Sequence, residues 1–390
     1  MVEQVLFRQE AEGGYRFDRE TGKVFFFETE QFADEVMAAR QKKQNFDFVP
    51  LPSNASRIAL SAPLAIWHET THSCNLNCKN CGRARTEESE MNLEEIEGIY
   101  KEIASNGVFE VRVTGGEACV RHDIEHIVNS AKIQGLYVSL TSNGVYSDEL
   151  RERIVALPVG LFIISLDGTQ EINDSIRGQG TYESTMKTIK SLTQRRRNVR
   201  VNAILMKKNK DCIEELVETL EKAGVSALTL TPLRPAGEAV KEFYESKLTP
   251  EQYKAVVMKV NELREKHKGF SLATNYDILS ETTHASNVPS HWSKMCIAGI
   301  EAACISPSGN LRACILYAGE GTTVGNLKHQ RFKELWHNDD IWGIFRDPDR
   351  RVLQQCRECP NYTVKCPGSC LAMTEFSKSP EEIYCFKDIN

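Results

Sequence analysis

Cys74, Cys78 and Cys81 form a Cys-x3-Cys-x2-Cys run, and eight more of the thirteen cysteines fall between positions 296 and 385. Three thiolates so close in one loop can bind three corners of a four-iron, four-sulfur cluster, which leaves one iron open to a cofactor or substrate. The competing chemistry is a zinc loop, but zinc wants four closed ligands, and a fourth would have to come from elsewhere, such as His72. The spacing favours iron-sulfur. The later group, Cys296, Cys304, Cys314, Cys356, Cys359, Cys366, Cys370 and Cys385, also bunches as metal ligands do, whereas buried structural thiols would scatter. Cys119 and Cys212 stand alone: Cys119, two residues after Glu117, reads as a small buried group near a site mouth, and Cys212 as helix core.

A chain of 390 residues with 41% apolar content supports one large core with appendages. The formal charge is −6 from nearly balanced acids and bases. The dense basic run Arg195, Arg196, Arg197 and Arg200 reads as a solvated helix end, so no nucleic-acid partner is expected. No run of about eighteen apolar residues exists, and the first residues lack a basic stretch followed by an apolar one, so neither a membrane partner nor a signal peptide is expected. Reduced thiols in such number suit the cytoplasm.

The elements that must position these cysteines follow from periodicity. Residues 1–50 read as two or three short strands, with turns at Gly13-Gly14 and Thr21-Gly22, and a helix through EQFADEVMAARQ; residues 48–63, with three prolines, read as a linker. Six strand-like runs follow in residues 64–240: LAIWHET, FEVRVTG, LYVSLTS, LFIISLD, VRVNAILM and ALTLTPL. Helical stretches of three-and-four spacing lie between them, three ending in glycine. The expected fold class is α/β: a parallel sheet with right-handed crossovers, as a partial (β/α)6 barrel or an open doubly wound sheet, with ligands at the carboxyl ends of the strands. Residues 241–294 read as a helical bridge, and 295–390 as a cysteine-rich extension held by metal.

The triad resembles that of the radical S-adenosylmethionine (SAM) superfamily, and other segments match that family in chain order. Gly115-Gly116-Glu117 follows the second strand, SLTSNG with Thr141 and Asn143 ends the third, and ISLDG with Ser165 and Asp167 ends the fourth, with Arg177-Gly178 beyond it. The resemblance implies that Cys74, Cys78 and Cys81 hold the SAM-cleaving cluster. It further implies that Glu117 meets the SAM ammonium, Arg177 its carboxylate, Ser165 the ribose, and the backbone from Thr231 to Leu233 the adenine. Asn80 departs from the pattern, because the family usually has an aromatic residue before the third cysteine.

The tail, with Cys296, Gly309-x4-Cys314, Cys356-x2-Cys359-x6-Cys366-x3-Cys370 and Cys385, resembles the SPASM extension of radical SAM maturases, with one extra residue in the third interval. That resemblance implies two auxiliary clusters: Cys296, Cys314 and Cys370 for the first, and Cys356, Cys359, Cys366 and Cys385 for the second. Cys304 either completes the first cluster or is a buried strand residue. Three four-iron, four-sulfur clusters and SAM are thus the expected cofactors. The expected activity is reductive cleavage of SAM to a 5′-deoxyadenosyl radical and oxidative modification of a ribosomally made peptide, such as a crosslink. A flavodoxin- or ferredoxin-like protein would donate the electron. The N-terminal unit resembles a shortened peptide-recognition domain, or serves as a cap on the barrel. The alternatives are oxidation of a protein Cys or Ser, oxidation of a sugar or alcohol, and an electron-transfer module without a substrate.

Overall fold

The computed structural model describes residues 2–56, 58–83, 89–274, 296–317, 322–347, 352–360, 370 and 371. Cys366 and Cys385 lie outside the described residues.

The N-terminal unit is a four-stranded sheet of order β3-β2-β1-β4, built from β1 (Val5–Glu10), β2 (Gly13–Asp18), β3 (Val24–Glu28) and β4 (Asp47–Val49), with helix α1 (Thr29–Gln41) packed on it. The expected linker is shorter than the sequence implies, because its first residues form β4 and pair in parallel with β1, Phe48 opposite Phe7. Arg8 fastens this sheet to the rest of the molecule. Its side chain is fully buried, donates from Nη1 to Gly107 O at 2.7 Å and Pro63 O at 3.2 Å, and pairs with Glu10, which accepts from Ser61 N at 2.7 Å. The guanidinium lies 4.4 Å from the centre of the Phe109 ring. Tyr15 and Phe17 pack with Phe109 and Tyr137 in a second apolar cluster.

The main sheet begins with β5 (Ala65–Glu69) and adds β6 (Glu110–Thr114), β7 (Tyr137–Ser142), β8 (Leu161–Ser165), β9 (Val199–Leu205) and β10 (Ala227–Pro232), each parallel to its predecessor. These are the six expected strands. Their crossovers are α2 (Leu93–Ser105), α3 (Ile124–Ile133), α4 (Asp148–Ala156), α5 (Gln170–Arg177), α6 (Thr181–Gln194) and α7 (Ile213–Lys222). Asn92 and Glu95 cap α2 reciprocally, side chain to backbone at 3.0 and 2.9 Å, which satisfies donors the first turn leaves unpaired. Gly107, Gly135 and Gly224 end helices with φ of +86°, +81° and +79°, the left-handed turn that favours glycine.

After α8 (Phe243–Ser246) and α9 (Pro250–Lys266), β11 (Ser271–Thr274) extends the sheet beyond β10. At the other edge β12 (Ala302–Ile305) pairs in parallel with β5, followed by antiparallel β13 (Asn310–Arg312) and β14 (Thr323–Asn326). The result is one ten-stranded sheet of order β11-β10-β9-β8-β7-β6-β5-β12-β13-β14. The cysteine-rich extension is therefore not held by metal alone: Ala303, Ile305, Leu311, Phe332 and Trp336 join the main core. Phe332 and Trp336 lie on α10 (Phe332–Trp336), and α11 (Gln354–Arg357) carries Cys356. Among the described residues no helix is long and apolar enough to cross a membrane. In the basic run, Arg195 pairs with Glu152 on the surface and Arg197 lies over the Phe162 ring.

Candidate active site

Six loops leave the carboxyl ends of β5 to β10, and the candidate residues stand on them. The triad follows β5, Gly115 to Glu117 follow β6, Asn143 follows β7, Asp167 follows β8, and Leu233 follows β10. The N-terminal sheet packs at the opposite end, since Phe109 precedes β6 and Tyr137 opens β7.

Cys74, Cys78 and Cys81 are each half-buried. Burial pushes the Cys78 thiol up to about 11 while Arg177 draws it down, and the charges of Cys81 and Cys74 are felt there too, so the three sulfurs are neighbours. Burial likewise raises Cys74, with Glu117 adding to the rise and Arg83 opposing it. Among the described residues no three His, Cys, Asp or Glu side chains converge tightly enough to hold one metal ion. A zinc–thiolate site at 2.3 Å per bond would draw its sulfurs to within about 4 Å of one another, whereas a cluster carries its thiolates on separate irons. The donor set fits the larger group.

The triad loop is tied down on both sides. Asn75 donates to Val145 O at 2.7 Å and accepts from Asn143 Nδ2 at 2.8 Å. Asn80 donates to Asp167 Oδ2 at 2.7 Å, and Lys79 N to Ile176 O at 3.1 Å.

Gly115 and Gly116 serve chain packing. A Cβ at Gly115, whose φ is +149°, would lie 2.7 Å from Thr71 O, and one at Gly116 would collide with Ser73 O. The backbone N–H groups of Gly116 and Glu117 donate to Thr71 O and Ser73 O, both at 2.8 Å, so the expected approach of this backbone to a cofactor is taken by the loop leading to the triad. Glu117 remains available. Its carboxylate is 2% exposed, accepts from Asn143 N at 2.7 Å and Cys119 N at 3.1 Å, and has no cationic partner among the described residues. Burial raises its proton affinity and the two backbone donors oppose that. A buried carboxylate without a cation fits the ammonium of SAM.

Arg177 ends α5 and donates from Nε to Asp167 Oδ2 at 2.7 Å. Its Nη groups have no other partner among the described residues, so they fit a carboxylate. Asp167, expected as a cofactor contact, is fully buried and accepts three hydrogen bonds: Oδ2 accepts from Asn80 and Arg177, and Oδ1 from Ile204 N at 2.8 Å. Its carboxylate orients Arg177. Leu233 is buried and gives its N–H to Leu205 O at 3.1 Å. Thr141 and Ser165 are half-exposed at the ends of β7 and β8. Cys119 is buried, its sulfur accepting from Tyr146 Oη at 3.3 Å, and does not face the mouth. His68 is also buried, its Nδ1 2.8 Å from Tyr100 Oη.

In the extension, Cys296, Cys314 and Cys370 sense one another: Cys314 is pushed up to about 12 by burial and by the negative charges of Cys370 and Cys296. Cys356 and Cys359 are half-buried, one on α11 and the other just past it. Cys304 is fully buried on β12, and its thiol meets Glu69 rather than open space. The role of Asn80 escaped sequence reasoning, for its partner is 87 residues away.

Two family models match the chain: the Radical SAM superfamily over residues 68–223, and an iron-sulfur cluster-binding domain, SPASM, over residues 296–360. The mycofactocin maturase MftC of Mycobacterium tuberculosis is 27% identical over 331 residues, covering 82% of this chain and 81% of its own. The AdoMet-dependent heme synthase of Methanosarcina barkeri is 27% identical over 346 residues, covering 83% and 97%. Streptococcus suis SuiB, in a crystal structure with its precursor peptide SuiA, has the same fold, with a TM-score of 0.78 and 17% identity over 100% of this chain and 99% of that one.

Proposed function

The chain is a radical SAM enzyme with a SPASM iron-sulfur extension, and on that premise we propose that it oxidatively modifies a ribosomally made peptide, by a crosslink or a related C–H functionalisation. The observation that carries the peptide is the N-terminal sheet. Among the described residues its outer strand β3 has one neighbour, β2, and Phe25 on it is exposed, so an extended peptide can add to that edge. The maturase relative and the fold shared with a peptide-bound enzyme support the same reading. Because the sheet sits at the amino ends of the barrel strands and the triad at their carboxyl ends, a peptide held on β3 must extend past strands of five or more residues, about 17 Å, to present its reacting residue.

In this reading Cys74, Cys78 and Cys81 hold a cluster that, once reduced, supplies the electron for cleaving SAM and so the hydrogen-abstracting chemistry. The chain's part is placement. Glu117 takes the ammonium, the Nη groups of Arg177 take the carboxylate, and Thr141, Asn143, Ser165 and Leu233 line the remaining mouth. Asp167 holds Arg177 in place. Cys296, Cys314 and Cys370 bind one auxiliary cluster, and Cys356 and Cys359, with Cys366 and Cys385, the other. A flavodoxin- or ferredoxin-like protein delivers the electron.

The test is to reduce the reconstituted protein anaerobically with SAM, alone and with short peptides encoded beside its gene. Formation of 5′-deoxyadenosine together with loss of a hydrogen pair from one peptide is the expected result. The heme synthase relative favours a second reading, a small-molecule substrate. SAM turnover that leaves every such peptide unchanged, and is stimulated by a small molecule, would establish that one instead.

A further inference from the structure

Asn80 stands directly before the third cysteine of the triad and is 8% exposed. Its Nδ2 and the Nε of Arg177 both donate to the same oxygen, Asp167 Oδ2, each at 2.7 Å. The acceptor is itself held still. Oδ1 takes the Ile204 N–H at 2.8 Å, the Asp167 N–H donates to Asn173 Oδ1 at 3.0 Å, and its carbonyl accepts from Asn209 Nδ2 at 2.8 Å. A buried network satisfied in this way fixes its members relative to one another.

Arginine and a carboxylate prefer a bidentate pair, in which two guanidinium nitrogens face two oxygens. Here Asn80 shares Oδ2 with Arg177, and Oδ1 accepts from the backbone of β9 instead of from the guanidinium. Arg177 is left with a single contact through Nε, which keeps both Nη groups for a ligand. The same amide ties the segment between Cys78 and Cys81 to that arginine, and Lys79, bonded to Ile176 O on α5, pins the segment a second time.

We propose that Asn80 is a positioning residue for SAM: by sharing Asp167 Oδ2 with Arg177 it ties the triad loop to the guanidinium and sets the spacing between them. The departure from an aromatic residue at this position thereby acquires a role. The proposal rests on Arg177 as the partner of the SAM carboxylate.

Asn80→Leu keeps the branched shape, at some cost in bulk, and removes the donor, and Asn80→Ala serves if the leucine variant does not fold. SAM affinity is measured on reconstituted protein by equilibrium dialysis, with iron content checked against wild type, and the EPR spectrum of the reduced triad cluster is recorded with and without SAM. Asn80→Leu should weaken SAM about tenfold, the scale of a charged hydrogen bond, and reduce the SAM-induced change in the spectrum. In an Arg177→Ala background the same substitution should change affinity by less than about twofold, because it acts through the arginine. An equal factor in both backgrounds, or unchanged affinity in Asn80→Leu and Asn80→Ala while Arg177→Ala binds weakly, overturns the proposal alone. Unchanged affinity in Arg177→Ala overturns the SAM site on which it rests.

Discussion

The thiol of Cys304 donates to Glu69 Oε2 across 3.7 Å, from β12 to the end of the strand that leads into the triad. Arg312, opposite Cys304 on β13, reaches the same carboxylate. Burial raises Glu69 and Arg312 opposes it, and the charge of Cys314 is felt at Cys304, so thiol, carboxylate and guanidinium form one buried group beside Cys314. Cys304→Ala should accordingly keep the wild-type iron, about twelve per chain for three clusters, and cost about 1 kcal/mol of stability. Replacing Cys74, Cys78 and Cys81 together should leave about eight. Iron analysis decides both; loss of iron from Cys304→Ala would make that residue a ligand.

Glu117→Gln removes the charge proposed to meet the SAM ammonium while keeping a carbonyl to accept from Asn143 or Cys119. SAM binding should weaken by roughly 1.5 to 3 kcal/mol, the worth of a charged hydrogen bond. Titration calorimetry under anaerobic conditions reads it directly. Unchanged affinity would take Glu117 out of the pocket.

Cys356→Ala with Cys359→Ala removes two proposed ligands of an auxiliary cluster far along the chain from the triad. The variant should still form 5′-deoxyadenosine from SAM while product on the true substrate collapses. Because metal binding also contributes folding energy, circular dichroism and the triad spectrum are recorded first. A folded variant making product at the wild-type rate would assign the second cluster to structure.

His68 is pushed down to about 3 by burial, with Arg121 adding to the effect, and its Nε2 is buried without a partner. The unfolded chain takes up a proton near pH 6.5 that the folded one refuses, so stability falls as pH drops through that value. Between pH 7.5 and 5 the loss from this residue should be about 2 kcal/mol. His337, pushed down to about 4, acts with the same sign. Denaturant melts of iron-free protein should show this slope, and His68→Gln should flatten it.

The six barrel strands and their crossovers were legible because apolar runs of strand length alternate with helical periods and end in glycine. The added strands were not. β4, β11 and β12 are short, and each is a strand by virtue of a parallel partner elsewhere in the chain: Leu6 opposite Asp47, Ala227 opposite Ser271, Ala302 opposite Ala65. Local pattern carries no trace of such pairing. The helix α5, QEINDSIR, was missed because two isoleucines are all the apolar signal it offers. Among candidate site residues, the cysteines stand out by spacing alone. Asp167, by contrast, lies at a strand end where a ligand contact and a structural brace look alike in sequence, and the hydrogen bonds it accepts from Asn80, Arg177 and Ile204 come from residues scattered along the chain.

The parallel pairing of β12 with β5 governs the order in which this protein can be made. During synthesis β5 emerges early, pairs with β6, and must keep its other edge bare until residues beyond 300 leave the ribosome. A nascent barrel therefore presents an open strand edge to its neighbours for most of its translation, the kind of edge that recruits other chains. Expression of the first 295 residues alone would make that exposure permanent. The extension thus covers the bare edge of β5, and truncations that spare every triad residue should yield aggregates rather than a smaller enzyme.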